Sequence, residues 1–302
     1  MTSDAPAGLR VLFATDGSGP ARDASSVLRQ LILPVTSKLT VLSVAPQSFL
    51  SGARPDPAFL LKATPAARRT ALAESEEEAQ AAATELDPDP EIDVDVIARW
   101  GNPIEEILRA ARRAPADLVV LGAKGHSGLG IMLLGSVSQG VVQNSTLPVL
   151  IVRPDIDHVS KVLIGYDDSP EARKAINFLD RLQLPLDVEI ILSYVDTPFP
   201  KAQRGSKRNS MAAAQAAAER NHDIEEAALG GVAAHFATQG YRVSTEVLNG
   251  TASSELDESA RKHRAGIIIV GSRKPAPARH YLIGSTAEKL VRHAEASVLV
   301  VR

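Results

Sequence analysis

The sequence predicts two tandem, doubly wound α/β domains, each with a five-stranded parallel sheet in the order 3-2-1-4-5 and helices on both faces. Three observations lead to this Rossmann-like fold class. The chain has 302 residues, which suits two hydrophobic cores of about 150 residues better than one. Short β-branched runs alternate with longer helical patterns, as in βαβ units. The whole pattern then repeats after roughly 150 residues, a period that indicates duplicated domains and not a solenoid.

The repeat is visible in three pairs of segments: 9–18 with 161–169, 118–122 with 267–271, and 148–153 with 297–302. They carry the first strand with its acid and serine, a later strand that ends in glycine, and the last strand. We therefore predict one domain over residues 1–154 and a second over residues 160–302. The polar, proline-marked segment 153–160 is predicted to be the linker.

Composition narrows the functional classes. With 33 lysines and arginines against 36 aspartates and glutamates, the formal net charge is −3, without the basic excess typical of nucleic-acid-binding proteins. The absence of cysteine excludes disulfides, thiol catalysis and thiolate metal sites. No apolar run reaches the roughly 18 residues that span a bilayer, and residues 1–8 lack the apolar stretch of a signal peptide. We expect a cytoplasmic protein that contacts neither nucleic acid nor membrane.

The apolar pattern indicates the strands of the first copy. An unbroken apolar run at 118–121 favours a central strand that is covered on both faces, whereas the alternation at 93–97 favours an edge strand. Strands are predicted near residues 10–15, 39–45, 92–99, 117–122 and 148–153.

One helix start is explicit in the sequence. Asn102, Pro103 and Glu105 supply a cap, a proline at the first helical position and an acid three residues after the cap. Thr251 is the corresponding cap in the second copy, where the proline is missing.

A glycine-rich segment lies where a doubly wound sheet binds ligands. Such ligands sit beyond the carboxyl ends of the strands, at the point where the strand order reverses. Asp16 follows the first strand and Gly122 follows the fourth, so both are expected at this place. The glycines between Gly122 and Val137 let phosphate oxygens approach main-chain N–H groups. The helix predicted from Val137 to about Ser145 adds its positive end.

The spacing of these glycines resembles a known signature. Gly122, Gly125, Gly135 and Ser136 form the pattern Gly, two residues, Gly, nine residues, Gly-Ser, which is similar to the nucleotide-binding signature of the universal stress proteins. The resemblance extends to Asp16 and to the last strand of each copy, so it covers nearly the whole chain twice. It implies ATP at the switch point, with Mg²⁺ near Asp16. The implied contacts are ribose for Asp16 and Gly122, adenine for Val44, and phosphate for Gly125, Gly135, Ser136 and Val137.

The second copy departs from this signature. Four of its residues keep the corresponding positions, namely Asp167, Gly271, Gly284 and Ser285. Lys274 replaces the second glycine, and Tyr194 is predicted to replace the adenine-facing valine. Lys274 either places a charge on the phosphate or closes the site together with the neighbouring prolines. We expect a weakened or empty second site.

The site residues also have structural alternatives. Asp16 and Asp167 could cap the first helix of their copies, since aspartate is common at a strand-to-helix turn. The glycines could serve turns, and Ser136 a helix cap. His126, beside the loop, could touch a phosphate or lie in solvent. The other histidines show no ligand spacing, so no protein-built metal site is predicted.

Motifs of several nucleotide enzymes and hydrolases are absent: the P-loop, the dinucleotide fingerprint and the nucleophile elbow. The candidate site has no obvious base to activate water, so no catalytic residue is predicted. Three hypotheses stay open. The first is an ATP-binding stress-response or signalling protein in which nucleotide occupancy modulates contacts with an unknown protein partner, with slow or no hydrolysis. The second is a scaffold that binds no nucleotide, and the third is an ATPase or nucleotidyl transferase.

The duplication also predicts an assembly. Family members with one domain resemble dimers that pair through their last strand. Residues 150–152 and 299–301 could pair in this way within the chain and hide two sheet edges. We expect an intrachain pseudo-dimer, and further association into a homodimer stays open.

Overall fold

The computed structural model describes residues 8–31, 33–34, 36–47, 64–123, 134–154, 156, 158–197, 227–272 and 283–302. These residues form ten strands and eight helices. The first half contributes β1 (Arg10–Thr15), α1 (Gly19–Gln30), β2 (Lys38–Pro46), α2 (Pro65–Leu86), β3 (Asp93–Gly101), α3 (Pro103–Arg113), β4 (Leu118–Gly122), α4 (Ser136–Asn144) and β5 (Val149–Val152). The second half contributes β6 (Lys161–Gly165), α5 (Pro170–Leu182), β7 (Glu189–Asp196), α6 (227–238), β8 (Arg242–Asn249), α7 (Ala252–His263), β9 (Ile267–Gly271), α8 (Ser285–His293) and β10 (Ser297–Val301).

All ten strands belong to one sheet in the order β3-β2-β1-β4-β5-β10-β9-β6-β7-β8. Each half therefore has the predicted order 3-2-1-4-5, and its strands are parallel. The doubly wound fold class is confirmed. The predicted edge strand 93–97 is part of β3, at one margin of the sheet, and the predicted central strand 118–121 is part of β4.

The two halves join through their last strands. β5 and β10 pair antiparallel, with Leu150 opposite Leu299, so the predicted pairing within the chain is confirmed. Because this pairing covers both inner edges, only β3 and β8 remain as edge strands of the described sheet.

Side-chain contacts from helix ends reinforce this junction. Gln30 accepts a hydrogen bond from the Val159 backbone N–H at 2.8 Å. Arg181 of α5 donates a hydrogen bond to the Asp117 carboxylate, which also accepts one from Arg10. Burial alone would raise the pKa of Asp117, but the bonds from Arg10 and Arg181 outweigh it and lower that pKa.

The sheet separates two apolar layers, because successive strand residues point to opposite faces. In β4, Leu118 and Val120 belong to the apolar layer that also contains buried residues of α1, α2, α5 and α6, whereas Val119 and Leu121 belong to the layer that contains those of α3, α4, α7 and α8. We call these the α1 face and the α3 face. No helix in the described ranges is both long enough and apolar enough to cross a membrane.

The two predicted helix caps differ. Asn102 accepts hydrogen bonds from the backbone N–H groups of Ile104 and Glu105, with Pro103 at the first position of α3, as predicted. Thr251 precedes α7 at the capping position, but its side chain makes no capping bond. The prediction of equivalent cap chemistry was therefore wrong for Thr251.

Candidate functional site

The carboxyl ends of β1 and β4 form the centre of the candidate site. These strands are parallel neighbours, with Ala14 opposite Leu121, so Asp16 and Gly122 emerge at the same edge of the sheet. The strand order reverses here, since β2 lies on the other side of β1. The structure therefore brings together the two ends that the sequence placed at a switch point.

The turn after β1 is held by short-range hydrogen bonds. Asp16 Oδ1 accepts from the Ser18 backbone N–H at 3.1 Å, and Gly17 adopts a positive φ of 66°. Ser18 is the capping residue of α1 and accepts from the Ala21 N–H. The alternative that Asp16 itself caps α1 was therefore wrong. Asp16 shapes the turn in front of the cap, and its side chain is exposed.

Gly122 is required by the close approach of α1. A Cβ at this position would lie 2.2 Å from the Pro20 carbonyl oxygen, so a side chain would push helix and strand apart. The Ser138 hydroxyl donates to the Gly122 carbonyl at 2.7 Å, which fastens the first turn of α4 to the end of β4. Gly122 thus allows the two helix starts to meet at this edge.

The start of α4 presents backbone donors that have no acceptor within the helix. Gly135 is the capping residue, so no side chain caps the helix, and the first turn contains no acid. The Gln139 N–H bonds back to the Gly135 carbonyl, which leaves the amides of the three preceding residues without an acceptor in the helix. Ser136 is the first helical residue and is exposed, so the alternative that Ser136 is the cap was wrong. This end of α4 can bind an anion.

Two predicted apolar contacts lie on one face. Val44 and Val137 are both half-buried and pack against the cluster of the α3 face. They offer an apolar surface on the same side as the start of α4. Gly125 and His126 lie outside the described residues, and their predicted roles stay predictions.

An acid that the sequence analysis missed lies behind the turn. Glu78 of α2 accepts a hydrogen bond from the Ser43 hydroxyl at 2.9 Å and lies against Gly17. The sequence did contain a signal for Glu78, because its position in α2 places it on the inward side of the helix with Ser75 and Ala79. A carboxylate within an apolar stripe needs a polar partner, and here the partner is Ser43.

The second half repeats the framework of the site. Asp167 Oδ1 accepts from the Ser169 N–H at 3.1 Å, and a Cβ at Gly271 would lie 2.4 Å from the Glu171 carbonyl oxygen. Gly284 caps α8 without a side-chain bond, and Ser285 begins that helix. Lys274 lies outside the described residues.

The backbone donor at the cap is used differently in the two halves. Ser272, which is buried, accepts a hydrogen bond from the Gly284 N–H at 3.1 Å. The corresponding residue of the first half is Ala123, whose side chain has no acceptor. The first turn of α8 also carries the acid Glu288 where α4 has Gln139. Both differences disfavour an anion at α8.

The turns after β1 and β6 differ as well. In the first half, Arg22 donates to the Gly17 carbonyl at 2.7 Å. In the second half Asp168 replaces the glycine, and it binds Arg173 at 2.7 Å and the Tyr166 hydroxyl at 2.7 Å. The Arg173 and Tyr166 bonds lower the pKa of Asp168. An ion pair thus lies at the turn after β6.

One predicted correspondence is off by a residue. Ala14 of β1 pairs with Leu42, and its counterpart in β6, Gly165, pairs with Ser193. Two residues further along each second strand, Val195 is therefore the counterpart of Val44. Val195 also packs on the α3 face, whereas Tyr194 packs on the α1 face. The prediction that Tyr194 takes the place of Val44 was wrong, because a shift of one residue reverses the face of a strand side chain.

No group of three or more histidine, aspartate or glutamate side chains suited to a metal ion occurs in the described part of the chain. Asp16 is the exposed acid of the turn and could meet a cation carried by a phosphate ligand.

Known sequences and structures resemble this chain. Universal stress protein YxiE of Bacillus subtilis is 55% identical over 53 residues, which are 18% of this chain and 36% of that protein. Universal stress protein G of Shigella flexneri is 37% identical over 81 residues, which are 27% of this chain and 56% of that protein. The chain thus spans between about a third and just over half of the length of these relatives.

Two solved structures match the fold over its whole extent. A universal stress protein from Archaeoglobus fulgidus aligns with a TM-score of 0.64 and 22% identity, over 97% of this chain and 98% of its own. Protein PA1789 from Pseudomonas aeruginosa, whose function is described as unknown, aligns with a TM-score of 0.59 and 16% identity, over 98% of this chain and 92% of its own. The universal stress protein family profile matches residues 9–153 and again residues 158–302. This chain therefore belongs to the universal stress protein family and contains two such units in tandem.

Proposed function

We propose that the first half binds ATP at the edge formed by β1 and β4, and that nucleotide occupancy modulates contacts with a protein partner in a stress response. The observation that carries this proposal is the start of α4. It combines a side-chain-free cap at Gly135, an acid-free first turn and a firm attachment to Gly122 through Ser138. Such a helix start favours phosphate.

The neighbouring residues suit the rest of a nucleotide. A carboxylate repels triphosphate directly, so Asp16 fits ribose hydroxyls or a Mg²⁺ ion that accompanies the phosphates. Such an ion would neutralise phosphate charge. Val44 and Val137 offer apolar surface on one face. Val44 suits contact with the adenine, and Val137, in the first turn of α4, lies next to the proposed phosphate position. In this proposal, Gly125 contributes a further backbone donor to the phosphates.

Hydrolysis is proposed to be slow or absent. A general base must lie within hydrogen-bond reach of the attacking water. Of the two acids described at the turn, Asp16 is committed to the Ser18 N–H and Glu78 to the Ser43 hydroxyl. The protein is accordingly proposed to act through binding.

The second half is proposed to bind nucleotide weakly or not at all. Ser272 uses the Gly284 donor, and Glu288 places a negative charge in the first turn of α8. These contacts favour the hypothesis that this half is an interaction module without nucleotide.

The direct test is to identify and quantify nucleotide released from the purified, denatured protein by mass spectrometry, and to titrate ATP into nucleotide-free protein by calorimetry. About one ATP per chain is expected. Two per chain would contradict the weak second site. No released nucleotide together with no measurable affinity would favour the scaffold hypothesis, and turnover far above background would favour an enzyme.

A matched pair of substitutions locates the site. Gly135 has φ −63° and ψ 148°, and Gly284 has φ −58° and ψ 148°, so valine fits both backbones without strain. Gly135→Val is expected to abolish ATP binding because its side chain occupies the phosphate position. Gly284→Val is the control and should leave the affinity unchanged. Equal ATP affinity in a folded Gly135→Val protein would remove the site from α4.

A further inference from the structure

Two arginines cross between the halves in a reciprocal arrangement. Arg153 follows β5 and donates through Nη2 to the Val291 carbonyl of α8 at 2.6 Å. Arg302 follows β10 and donates through Nη2 to the Val142 carbonyl of α4. Because β5 and β10 are antiparallel neighbours, each arginine reaches the helix that precedes the last strand of the opposite half.

The accepting carbonyls are ones that the helices cannot satisfy themselves. In α4 the final backbone bond runs from the Ser145 N–H to the Val141 carbonyl, and in α8 it runs from Ala294 to Leu290. The later carbonyls of each last turn accept no hydrogen bond from a backbone N–H of the same helix. Each guanidinium therefore meets the negative end of a helix dipole.

Arg153 is withdrawn from water, and Arg302 is half-buried. Arg153 is fully buried, and burial lowers the pKa of both Arg153 and Arg302. A buried guanidinium requires acceptors, so the helix ends and the arginines depend on one another. Each contact thereby holds a helix of one half to the last strand of the other.

The two contacts differ in what supports them. The last turn of α8 carries its own basic residues, Arg292 and His293, and Arg153 also feels the charge of Asp257. The last turn of α4 contains no basic residue. Arg302, from the second half, supplies the positive charge at the carboxyl end of α4.

This contact bears on the candidate site, because the other end of α4 is the proposed phosphate-binding end. A nine-residue helix is only about 13 Å long, and it is anchored at its start by Ser138 on Gly122 and at its end by Arg302. We infer that Arg302 is a positioning residue for the nucleotide site of the first half. The second half thus sets the affinity of the first, and this inference rests on the proposed ATP site. By linkage, nucleotide in the first half tightens the hold of the second half on α4.

The test compares two matched substitutions in the full chain, Arg302→Met and Arg153→Met. Methionine keeps much of the apolar stem and removes the donors. We expect Arg302→Met to weaken ATP binding about threefold to tenfold, which lies within the range of a helix-end charge interaction in a partly buried position. Arg153→Met, which acts on α8, should change the affinity less than twofold. Arg302→Lys keeps the charge and should recover part of the affinity.

Hydrogen exchange in the absence of nucleotide supplies a second readout. Backbone amides of α4 are expected to exchange faster in Arg302→Met, while those of α8 are expected to exchange faster in Arg153→Met. Equal loss of ATP affinity in both variants would show general destabilisation and overturn the inference, as would wild-type affinity in Arg302→Met. If the wild-type protein binds no ATP, the proposed function fails separately. In that case, unchanged amide exchange of α4 in Arg302→Met would show that Arg302 does not position α4. Faster exchange would show that it does.

Discussion

Ser272 Oγ accepts a hydrogen bond from the backbone N–H of Gly284 at 3.1 Å. A hydroxyl of the second half thus uses the N–H of the residue that caps α8. In the first half Ala123 leaves the corresponding Gly135 donor without this acceptor. Together with the acid Glu288 of α8, this difference separates the two helix starts in chemistry while their backbones stay alike.

Transferring this contact should weaken the first site. Ala123→Ser is expected to lower ATP affinity about tenfold, because a donor to a charged phosphate contributes about 1.5 kcal/mol or more and would be shared with the new hydroxyl. Calorimetric titration measures the change. Ala123→Cys is the size control, since sulfur is a weak acceptor. A similar loss in both variants would indicate crowding at the buried position and not competition for the donor.

Gly122 and Gly271 should tolerate no side chain. An added Cβ would lie 2.2 Å from the Pro20 oxygen or 2.4 Å from the Glu171 oxygen, and overpacking of this kind costs about 1–3 kcal/mol. Gly122→Ala and Gly271→Ala are expected to lower the thermal midpoint of their own half. Gly19→Ala is the control, because nothing lies within 4 Å of its added Cβ. Unfolding followed by hydrogen exchange assigns the loss to a half, and unaltered stability of Gly122→Ala would contradict the close approach of α1.

The two helix caps should differ in energy. Asn102→Ala removes two bonds to backbone N–H groups and is expected to cost about 1 kcal/mol. Thr251→Ala removes no capping bond and should stay within about 0.5 kcal/mol of wild type. Urea unfolding at pH 7 compares them. Equal costs would mean that Thr251 does cap α7 in solution.

A polar cluster in the second half predicts a dependence on pH. Glu246 accepts hydrogen bonds from the Ser193 hydroxyl at 2.7 Å and from the Ser259 hydroxyl, and its carboxylate lies 3.2 Å from His263 Nε2. Burial alone would raise the pKa of Glu246, but these three hydrogen bonds outweigh it and lower that pKa.

The sign follows from linkage. A carboxyl whose pKa is lower in the folded state stabilises the protein fully above its unfolded pKa of about 4.3, and loses this contribution as the pH falls through the folded pKa. Glu246→Gln keeps an acceptor oxygen but does not ionise. The free energy of unfolding of wild type should therefore fall more steeply than that of Glu246→Gln below about pH 4.5. Parallel curves from pH 7 to pH 3.5 would exclude a contribution from Glu246.

The sequence predicted the fold well because its central strands are nearly continuous apolar runs bounded by polar residues and glycine. The strand that ends at Gly122 illustrates this, since its limits and central place follow from four successive apolar residues. The capping pattern at Asn102 was equally informative because all its bonds are local.

Features that depend on register or distant contacts were not predictable. The correspondence of Tyr194 with Val44 failed because two copies of slightly different length can be aligned one residue apart without any visible conflict in hydrophobicity. Only the pairing of β6 with β7 fixes the face. Arg153 and Arg302 looked like ordinary strand ends, since their acceptors lie in the opposite half.

The pairing of β5 with β10 has a consequence for how the protein can diverge. In a dimer of identical chains, every substitution appears in both subunits, so the two sites must change together. Here the neighbour of each half is encoded in the same chain and never exchanges. Ala123 and Ser272 could therefore diverge independently, and every molecule carries the same unequal pair of helix starts.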